Sequence, residues 1–405
     1  MSEPLAPLLS VEVVDLDSLR NLVYGGYLQF VPHFRPLVWS LLLGSIPPRR
    51  SSWESTLNSR RSLYCGYASD FWHEQQPKSL DTLGDHPLSS CDDSHYASFF
   101  VDRRLLYEIC KDIRRTHSNH NFFKLDHTSP TNQSSKPVLN THKSVVSKTA
   151  EITEIADSQE NAIDALISLV CSSKVHCVML RILFLFAKLN PAIKYIQGMN
   201  ELLSPIFYTF ETVYSSFNQS TVDSSIFSSD LWSSEVIGSQ GGYNVPITAV
   251  EADVFFVFNL LMSKCRDNFI ESLDHDSRHG IRSKMMEIQS IIQRFDCPLI
   301  NHFKSLSVDP QYFALRWVSV LLSQDFSLAD TVRVWDSLFA INRHMDVSKP
   351  FILYICSAMI LIIRDDLIKS DFPTLLSKLQ RYESNENLIE SILDYARKIY
   401  MKDTK

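Results

Sequence analysis

The amino-acid sequence predicts an all-α protein. Apolar residues recur at helical spacing along most of the 405 residues, and no alternating apolar–polar stretch of useful length indicates a β-strand. Glycine is scarce, with 10 residues, which disfavours both a turn-rich all-β fold and the glycine-rich nucleotide-binding folds. The hydrophobic fraction of 45% is typical of a soluble globular protein, and the length allows one large or two smaller domains.

Composition and motifs exclude several classes of function. Neither G-x-G-x-x-G nor G-x-x-x-x-G-K-[ST] is present, so the chain has no standard nucleotide cradle of its own. The net charge of −7 and the absence of long Lys/Arg runs argue against nucleic acid as a partner. The one local cysteine cluster, Cys171 and Cys177 with His176, lacks zinc-ligand spacing, so we expect reduced thiols and no metal site.

No targeting or membrane-spanning segment is expected. The first residues, Met1-Ser2-Glu3-Pro4, carry neither a signal peptide nor a myristoylation signal. The longest apolar run, residues 351–363, is too short to span a bilayer and predicts a buried helix. We therefore expect a soluble, cytosolic protein.

The N-terminal part is predicted to consist of short helices. Leu16, Leu19, Leu22 and Val23 repeat at helical spacing, and Pro36 suits the first turn of a second helix that buries Trp39. The polar stretch 49–61 starts a further helix. Residues 76–95 are rich in Pro, Ser and Asp and predict a loop.

A helix from Asp102, as its N-cap, to about Thr116 displays an arginine. Its apolar stripe comprises Leu105, Leu106, Ile109, Cys110 and Ile113. Arg115 lies nearly opposite this stripe, and Asp112, three residues earlier, is placed to hold its guanidinium. The alternative interpretation is an ordinary solvated, charged helix face.

The hexapeptide Tyr195-Ile-Gln-Gly-Met-Asn200 lies between two apolar helical runs. The first run, 178–189, ends at Asn190-Pro191, and the second begins at Glu201. Gly198 is unfavourable inside a helix, so we expect it at a bend or a helix start, where unpaired N–H groups suit an anion. Gln197 can both donate and accept hydrogen bonds there. The alternative is that Gln197 only caps a buried helix and Gly198 only permits close packing.

Two serine-rich stretches, 126–151 and 212–246, are predicted to be flexible insertions that do not contribute to the core. Beyond Glu251 the pattern is helical almost to the end, without a fixed-period repeat. The apolar stripes there fall in 254–262, 285–292, 312–322, 328–339, 351–363 and 388–400.

The two motifs together resemble the TBC domain, the GTPase-activating domain for Rab small GTPases. They are Ile109-x-x-Asp112-x-x-Arg115 and Tyr195-x-Gln197-Gly198-Met199. Three further segments match in family order: Arg35 to Trp39, Leu183 to Tyr208 and Ala314 to Phe339. The resemblance covers about 15–400. It implies core and scaffold roles for Arg35, Trp39, Arg316, Trp317, Trp335 and Asp336.

The resemblance also implies a domain organisation. Residues 1–14 are a tail, and 15–400 form an irregular multi-helix TBC domain with two helical subdomains, about 15–210 and 250–400. The insertions 126–151 and 212–246 interrupt this domain, the first after the helix that leads to Arg115 and the second after the helix that follows Gln197. Because both lie close to the expected Rab-binding surface, the resemblance does not specify which Rab is bound.

By the same resemblance Arg115 is an arginine finger and Gln197 a glutamine finger, both supplied in trans to a GTP-bound Rab. Phosphoryl transfer needs positive charge on the phosphate oxygens and an oriented water, which these two groups supply. Asp112 positions Arg115, and the supporting or GTPase-contacting residues are Ile109, Tyr195, Gly198, Met199 and Asn200. The protein is then a GTPase activator and not an enzyme in its own right. It needs no cofactor of its own, since GTP and Mg²⁺ belong to the Rab, and it meets membranes transiently, through the Rab alone.

Two other functions remain possible on the residues alone. One is a non-catalytic TBC-like adaptor that binds a GTPase or another trafficking partner; the presence of both fingers counts against it. The other is an unrelated enzyme that handles a small phosphorylated substrate near Gln197, although the chain offers it no evident base.

Overall fold

The computed structural model describes residues 4–72, 95–124, 161–217, 232, 235–238, 245–269, 280–341, 350–382 and 388–403. These residues are predominantly helical, which confirms the all-α prediction. Within them no single helix is long and apolar enough to cross a membrane. One pair of helices, Asn161–Cys171 and Lys174–Leu189, reaches that length and hydropathy only together and is bent by 117°.

The first half of the chain contains α1 Leu5–Ser10, α2 Leu16–Tyr24, α3 Arg35–Leu43, α4 Trp53–Phe71, α5 His95–Ile113, α6 Asn161–Cys171, α7 Lys174–Leu189 and α8 Met199–Phe217. A short antiparallel pair, β1 Val236–Gly238 and β2 Ile247–Thr248, follows.

The second half contains α9 Ala249–Cys265, α10 Ile281–Phe295, α11 Cys297–Ser305, α12 Ala314–Ser319, α13 Leu328–Ile341, α14 Phe351–Ile362, α15 Arg364–Leu367, α16 Phe372–Gln380 and α17 Leu388–Asp403. Single 3₁₀ turns are Tyr27–Gln29, Pro32–Phe34, Arg50–Ser52, Asn121–Phe123, Arg266–Asn268 and Pro310–Tyr312.

Side-chain caps begin several of these helices. Asp15 accepts from the Asp17 amide at the start of α2, and Ser173 accepts from the His176 amide at the start of α7. Thr248 does the same for α9. Such caps satisfy amides that have no partner inside the helix, and each stabilises its helix by about 1 kcal/mol.

Two helices are buried on nearly every side and form the centre of the core. From His176 to Ala187 every residue of α7 is buried, and so is α14 from Phe351 to Leu361. Around them α9 packs on α3, α4, α7 and α8, while α14 packs on α10 and α17. Helix α13 joins the two ends of the chain by packing on α2, α3 and α17. The division into subdomains 15–210 and 250–400 stays a prediction.

Charged residues inside this core are paired. Arg181 donates to both carboxylate oxygens of Glu251 at 2.5 and 2.6 Å, and Tyr64 donates to the same carboxylate at 2.6 Å. Asp336 accepts from Trp39 at 2.8 Å and from Arg35 at 3.1 Å. Paired in this way, a buried charge avoids most of the cost of lost hydration.

Two predicted helix boundaries were wrong. Helix α5 begins at His95, upstream of the expected N-cap Asp102, and ends at Ile113. Helix α12 stops at Ser319, although the apolar pattern continues to Leu322, because Leu321 and Leu322 have positive φ angles of 50° and 63°. Left-handed backbone at a non-glycine residue ends a right-handed helix, and apolar periodicity gives no sign of it.

The predicted insertion 212–246 was also partly wrong. Helix α8 continues to Phe217, the segment ends in the β1–β2 pair, and Trp232 is buried against Tyr214 with ring centroids 6.0 Å apart. Tyr214 and Trp232 of this stretch therefore contribute to the core, despite the serine-rich composition around them. The other predicted insertion, 126–151, and nearly all of the predicted loop 76–95 lie outside the described residues.

Candidate functional site

The turn after α5 carries Arg115. The Asp112 carbonyl accepts from the amides of Arg115 at 3.0 Å and Thr116 at 3.2 Å, which closes the end of the helix. Asp112 is buried, whereas the Arg115 side chain is 63% exposed, and its Nη2 donates to Asp112 Oδ1. The expected contact is therefore present, and a buried carboxylate holds an exposed guanidinium.

The second part of the site is the turn at Gly198. Its φ of +105° favours glycine, and an added Cβ would lie 3.2 Å from Val320 Cγ1. The Gly198 carbonyl accepts from the Glu201 amide at 3.0 Å, so Gly198 lies at the start of α8, as expected. Gln197, immediately before it, is exposed.

Asn200 joins these two turns. Its Nδ2 donates to Thr116 Oγ1 at 2.8 Å and to Glu201 Oε1 at 3.1 Å, while its Oδ1 accepts from the Gly198 amide at 3.2 Å. Because the side chain is buried and both ends of the amide are used, its orientation is determined. Asn200 thereby fixes the Arg115 turn relative to the Gln197 turn.

Tyr195 makes a second connection between the same turns. Its hydroxyl donates to Asp112 Oδ2 at 2.7 Å and lies 3.3 Å from Asn200 Oδ1. Burial, together with the nearby Asp112 charge, raises the pKa of the Tyr195 hydroxyl well above its ordinary value. The hydroxyl therefore stays a donor at physiological pH and helps to hold Asp112 in place.

Arg115 and Gln197 line one open cleft of about 510 Å³. Its other walls come from the start of α8, from α12 and from the turn after it. The lining residues are Asp112, Arg115, Gln197, Gly198, Asn200, Glu201, Leu315, Arg316, Ser319, Val320 and Gln324. The two predicted fingers, 82 positions apart in the sequence, therefore share one face of the molecule.

Glu201 lies at the base of this cleft, almost completely buried. Burial raises the pKa of its carboxyl to about 7, and hydrogen bonds from Gln324 and Asn200 counteract part of that shift. Its Oε2 lies 3.8 Å from His117 Nε2. The pKa of His117 is lowered by burial and by His120, so the imidazole is mainly neutral at physiological pH.

Ile109 and Met199, which were predicted to support the site, lie in the protein interior behind it. Ile109 and Met199 are completely buried, so neither side chain offers surface to a partner. Met199 Sδ accepts from the Ile196 amide at 3.4 Å, which tightens the turn before Gly198. Apolar type and helical spacing predicted the core position of Ile109 but could not reveal that of Met199, since it depends on the neighbouring helices.

Several lining residues were missed by the sequence analysis. Arg316 was expected in the core, but its side chain is 42% exposed, and it donates to Asp325 at 2.5 Å and to the Gln380 carbonyl at 2.8 Å. Leu315 and Gln324 carry no local signal, because only the packing of α12 against the Gly198 turn brings them to the cleft. In the described part of the chain, no cluster of three or more His, Cys, Asp or Glu side chains could hold a metal ion.

The chain matches known proteins over nearly its whole length. Residues 168–368 match the model of the Rab-GTPase-TBC domain. The chain is 33% identical to human TBC1 domain family member 13 over 91% of its own length and 90% of that protein, and 34% identical to the mouse protein of the same name over the same shares.

A solved structure has the same fold. The Ypt/Rab-GAP domain of Gyp1p superimposes with a TM-score of 0.66 at 21% identity, covering 99% of this chain and 96% of that one. This likeness supports the all-α architecture. The family match and the extended identity to TBC1 domain family member 13 together assign the sequence: the chain belongs to the Rab-GTPase-TBC domain family.

Proposed function

We propose that this protein activates GTP hydrolysis by a Rab-family GTPase and supplies two groups in trans, the Arg115 guanidinium and the Gln197 carboxamide. The observation that carries the proposal is their common position: both side chains are exposed and line one open cleft. The matching family model and one similar solved structure support it by their names, the Rab-GTPase-TBC domain and the Ypt/Rab-GAP domain of Gyp1p.

Arg115 is suited to stabilising charge on the transferred phosphoryl group. A guanidinium is permanently charged and can donate to two phosphate oxygens at once. One of its nitrogens is held by Asp112, and 63% of the side chain is exposed where it lines the cleft. Anchoring at one end lowers the entropy lost when the guanidinium meets the triphosphate.

Gln197 is suited to orienting the attacking water. Its amide can accept a hydrogen bond from the water and donate one to the γ-phosphate. The Gly198 turn, fixed by Asn200 and by contact with Val320, presents this amide on the cleft side. The nucleotide and Mg²⁺ are bound by the GTPase, so the protein contributes no cofactor. It then acts in the cytoplasm and meets membranes through the GTP-bound Rab.

The proposal is tested by single-turnover GTP hydrolysis on a panel of Rab proteins. We expect wild-type protein to accelerate at least one Rab, Arg115→Ala to lower the stimulated rate by about 10³–10⁵, and Gln197→Ala to lower it strongly. Arg114→Ala and Gln293→Ala are matched controls, because both residues are exposed and neither lines the cleft. Both controls should retain the wild-type rate.

Two outcomes would contradict the proposal. Tight binding to a GTP-loaded Rab without acceleration indicates the adaptor function instead. Full stimulation by the Arg115→Ala variant would remove Arg115 from the mechanism. Thermal midpoints of Gln197→Ala and the two controls should match wild type, since exposed side chains contribute within about 0.5 kcal/mol to stability. Arg115→Ala should remain folded, because Asp112 keeps the hydrogen bond from Tyr195.

A further inference from the structure

Two large apolar side chains are exposed beside the cleft. Tyr312 is 50% exposed and Leu315 is 40% exposed, on the 3₁₀ turn before α12 and on α12 itself. They border a second depression of about 490 Å³, where Arg316 and Arg381 lie beside them. We call Tyr312, Leu315, Arg316 and Arg381 the α12 ledge.

The ledge adjoins the cleft that Arg115 and Gln197 line. Leu315 and Arg316 line both depressions, so the two depressions adjoin. The ledge therefore lies within reach of a partner that brings a triphosphate to Arg115 and Gln197. Apolar side chains next to a polar cleft are typical of the centre of a protein interface.

The ledge is held rigidly relative to the fingers. The Tyr312 carbonyl accepts from Gln380 Nε2 at 2.9 Å, and Arg316 donates to the Gln380 carbonyl at 2.8 Å, which joins the end of α16 to α12. Just after α12, Val320 lies against the Gly198 turn. A preorganised surface of this kind loses little entropy when a partner binds.

The charge of the ledge is positive. Arg316 is already paired with Asp325. Arg381, by contrast, is exposed and forms no ion pair with any carboxylate in the part of the chain that the structure describes. The ledge therefore fits an apolar side chain with a carboxylate close beside it.

We propose that the α12 ledge is a docking surface for the same GTPase that is engaged by the fingers, and that it receives a segment with an apolar side chain next to an acidic one. This inference rests on the proposed function. It adds an affinity-determining surface, separate from the two groups that act on the phosphates. Loss of the ledge should therefore weaken binding and leave the chemical step unchanged.

The test uses the full chain and the Rab that responds in the panel. We expect Tyr312→Glu to raise KM and the Kd for the GTP-loaded Rab about tenfold or more, with kcat within twofold of wild type, because Tyr312 borders the second depression and not the cleft lined by Arg115 and Gln197. Tyr312→Ala should have a smaller effect of the same kind. Leu63→Glu is the matched control, since Leu63 is 47% exposed on α4 and borders neither depression.

The charge component has its own test. Arg381→Glu should weaken binding most at low salt, because solvent-exposed charges are screened as ionic strength rises. Replacing one acidic residue of the Rab surface by Lys should restore affinity for this variant. Failure of every such reversal would remove Arg381 from the proposal.

The outcomes separate this inference from the proposed function. Unchanged KM and Kd in Tyr312→Glu, with a wild-type thermal midpoint, would overturn the ledge while leaving the fingers intact. A fall in kcat alone would also overturn it. If the wild-type protein binds a GTP-loaded Rab without accelerating GTP hydrolysis, the proposed function is wrong. The Kd values of the ledge variants then still show whether the ledge binds the Rab. If a ledge variant differs from wild type in its molecular mass in solution but binds the Rab with the same Kd, the ledge mediates self-association and the proposal is wrong.

Discussion

Arg181 and Arg115 each pair with a carboxylate, in opposite surroundings. Arg181 and Glu251 are both completely buried, and the arginine also donates to the backbone carbonyl of Val245 at 2.9 Å. Arg115 is 63% exposed and makes one contact to the buried Asp112. Every nitrogen of the Arg181 guanidinium donates inside the protein, whereas Arg115 leaves most of its side chain exposed at an open cleft.

The comparison shows that an arginine–carboxylate pair can either stabilise the core or hold an arginine in place at the surface. In the core, the carboxylate compensates the lost hydration of the guanidinium, so removing either partner leaves an isolated buried charge. At the cleft, the buried carboxylate orients the guanidinium through one contact, and the other hydrogen-bond donors of this guanidinium are not used within the part of the protein that the structure describes. Of the three predictions below, arranged from the largest expected effect to the smallest, the first and third test this difference and the second tests the buried carboxyl of Glu201 near the Arg115 pair.

Substitution of the core arginine should have the largest effect on stability. Arg181→Met leaves the Glu251 carboxylate buried without its partner, and we expect about 3–5 kcal/mol less free energy of unfolding. The same change at Arg115 should cost clearly less, because the guanidinium is 63% exposed and Asp112 keeps the hydrogen bond from Tyr195. Urea denaturation midpoints of the two variants provide the measurement.

A double variant sharpens this prediction. Arg181→Met combined with Glu251→Gln removes both charges, so part of the lost stability should return. Equal destabilisation by Arg181→Met and Arg115→Met would mean that burial does not distinguish the two pairs.

Glu201 should make stability depend on pH. Its pKa is raised from 4.5 to about 7, so the folded protein holds this proton more tightly than the unfolded chain, and a contribution of up to about 3 kcal/mol is lost as pH rises from 4.5 to 7. Glu201→Gln cannot ionise. We expect this variant to match wild type near pH 5 and to exceed its thermal midpoint at pH 8.

The control for this prediction is Glu54→Gln, since Glu54 is exposed on α4. This variant should not exceed the thermal midpoint of wild type at pH 8, because an acidic side chain in the first turn of α4 is favoured by the helix dipole. A Glu201→Gln variant that is less stable than wild type at pH 8 would show that the ionised carboxylate is favoured by its hydrogen bonds to Asn200 and Gln324.

Removal of the anchor charge should affect rate more than stability. Asp112→Asn keeps the size of the side chain but loses the charged partner of Arg115, so the guanidinium is less well placed. We expect stimulated hydrolysis to fall about 10–100-fold, as is usual for a misplacement near 1 Å. Single-turnover rates with the responsive Rab check it.

Asp102→Asn on the same helix is the matched control, because Asp102 pairs with Lys188 at 2.9 Å away from the cleft. It should leave the stimulated rate unchanged. A wild-type rate in Asp112→Asn would show that Arg115 needs no anchor.

Prediction from sequence succeeded where the relevant contact is local. Helical spacing of apolar residues located α2, α13, α14 and α17 to within a few residues. The Asp112–Arg115 contact spans one helical turn, so spacing alone predicted it. The position of Gly198 just before α8, which begins at Met199, followed from the cost of glycine inside a helix.

Prediction failed where conformation depends on distant packing. The left-handed Leu321 and Leu322 end α12 early, and Trp335 Nε1 donates to the Leu321 carbonyl at 2.9 Å from a different helix. Serine-rich composition likewise concealed that Trp232 is buried in the core. In both cases residues far away in sequence supply the decisive contact.

The order and type of the amino acids determined the all-α architecture, most helix positions and the two motifs of the family, because these depend on neighbours within one or two turns. Only the tertiary structure decided that Tyr195 reaches Asp112, that Glu201 is buried beneath the cleft, and that Leu315 and Arg316 form its rim. Those relations depend on how separate helices pack. No local pattern encodes the distance between two groups that are brought together only by folding.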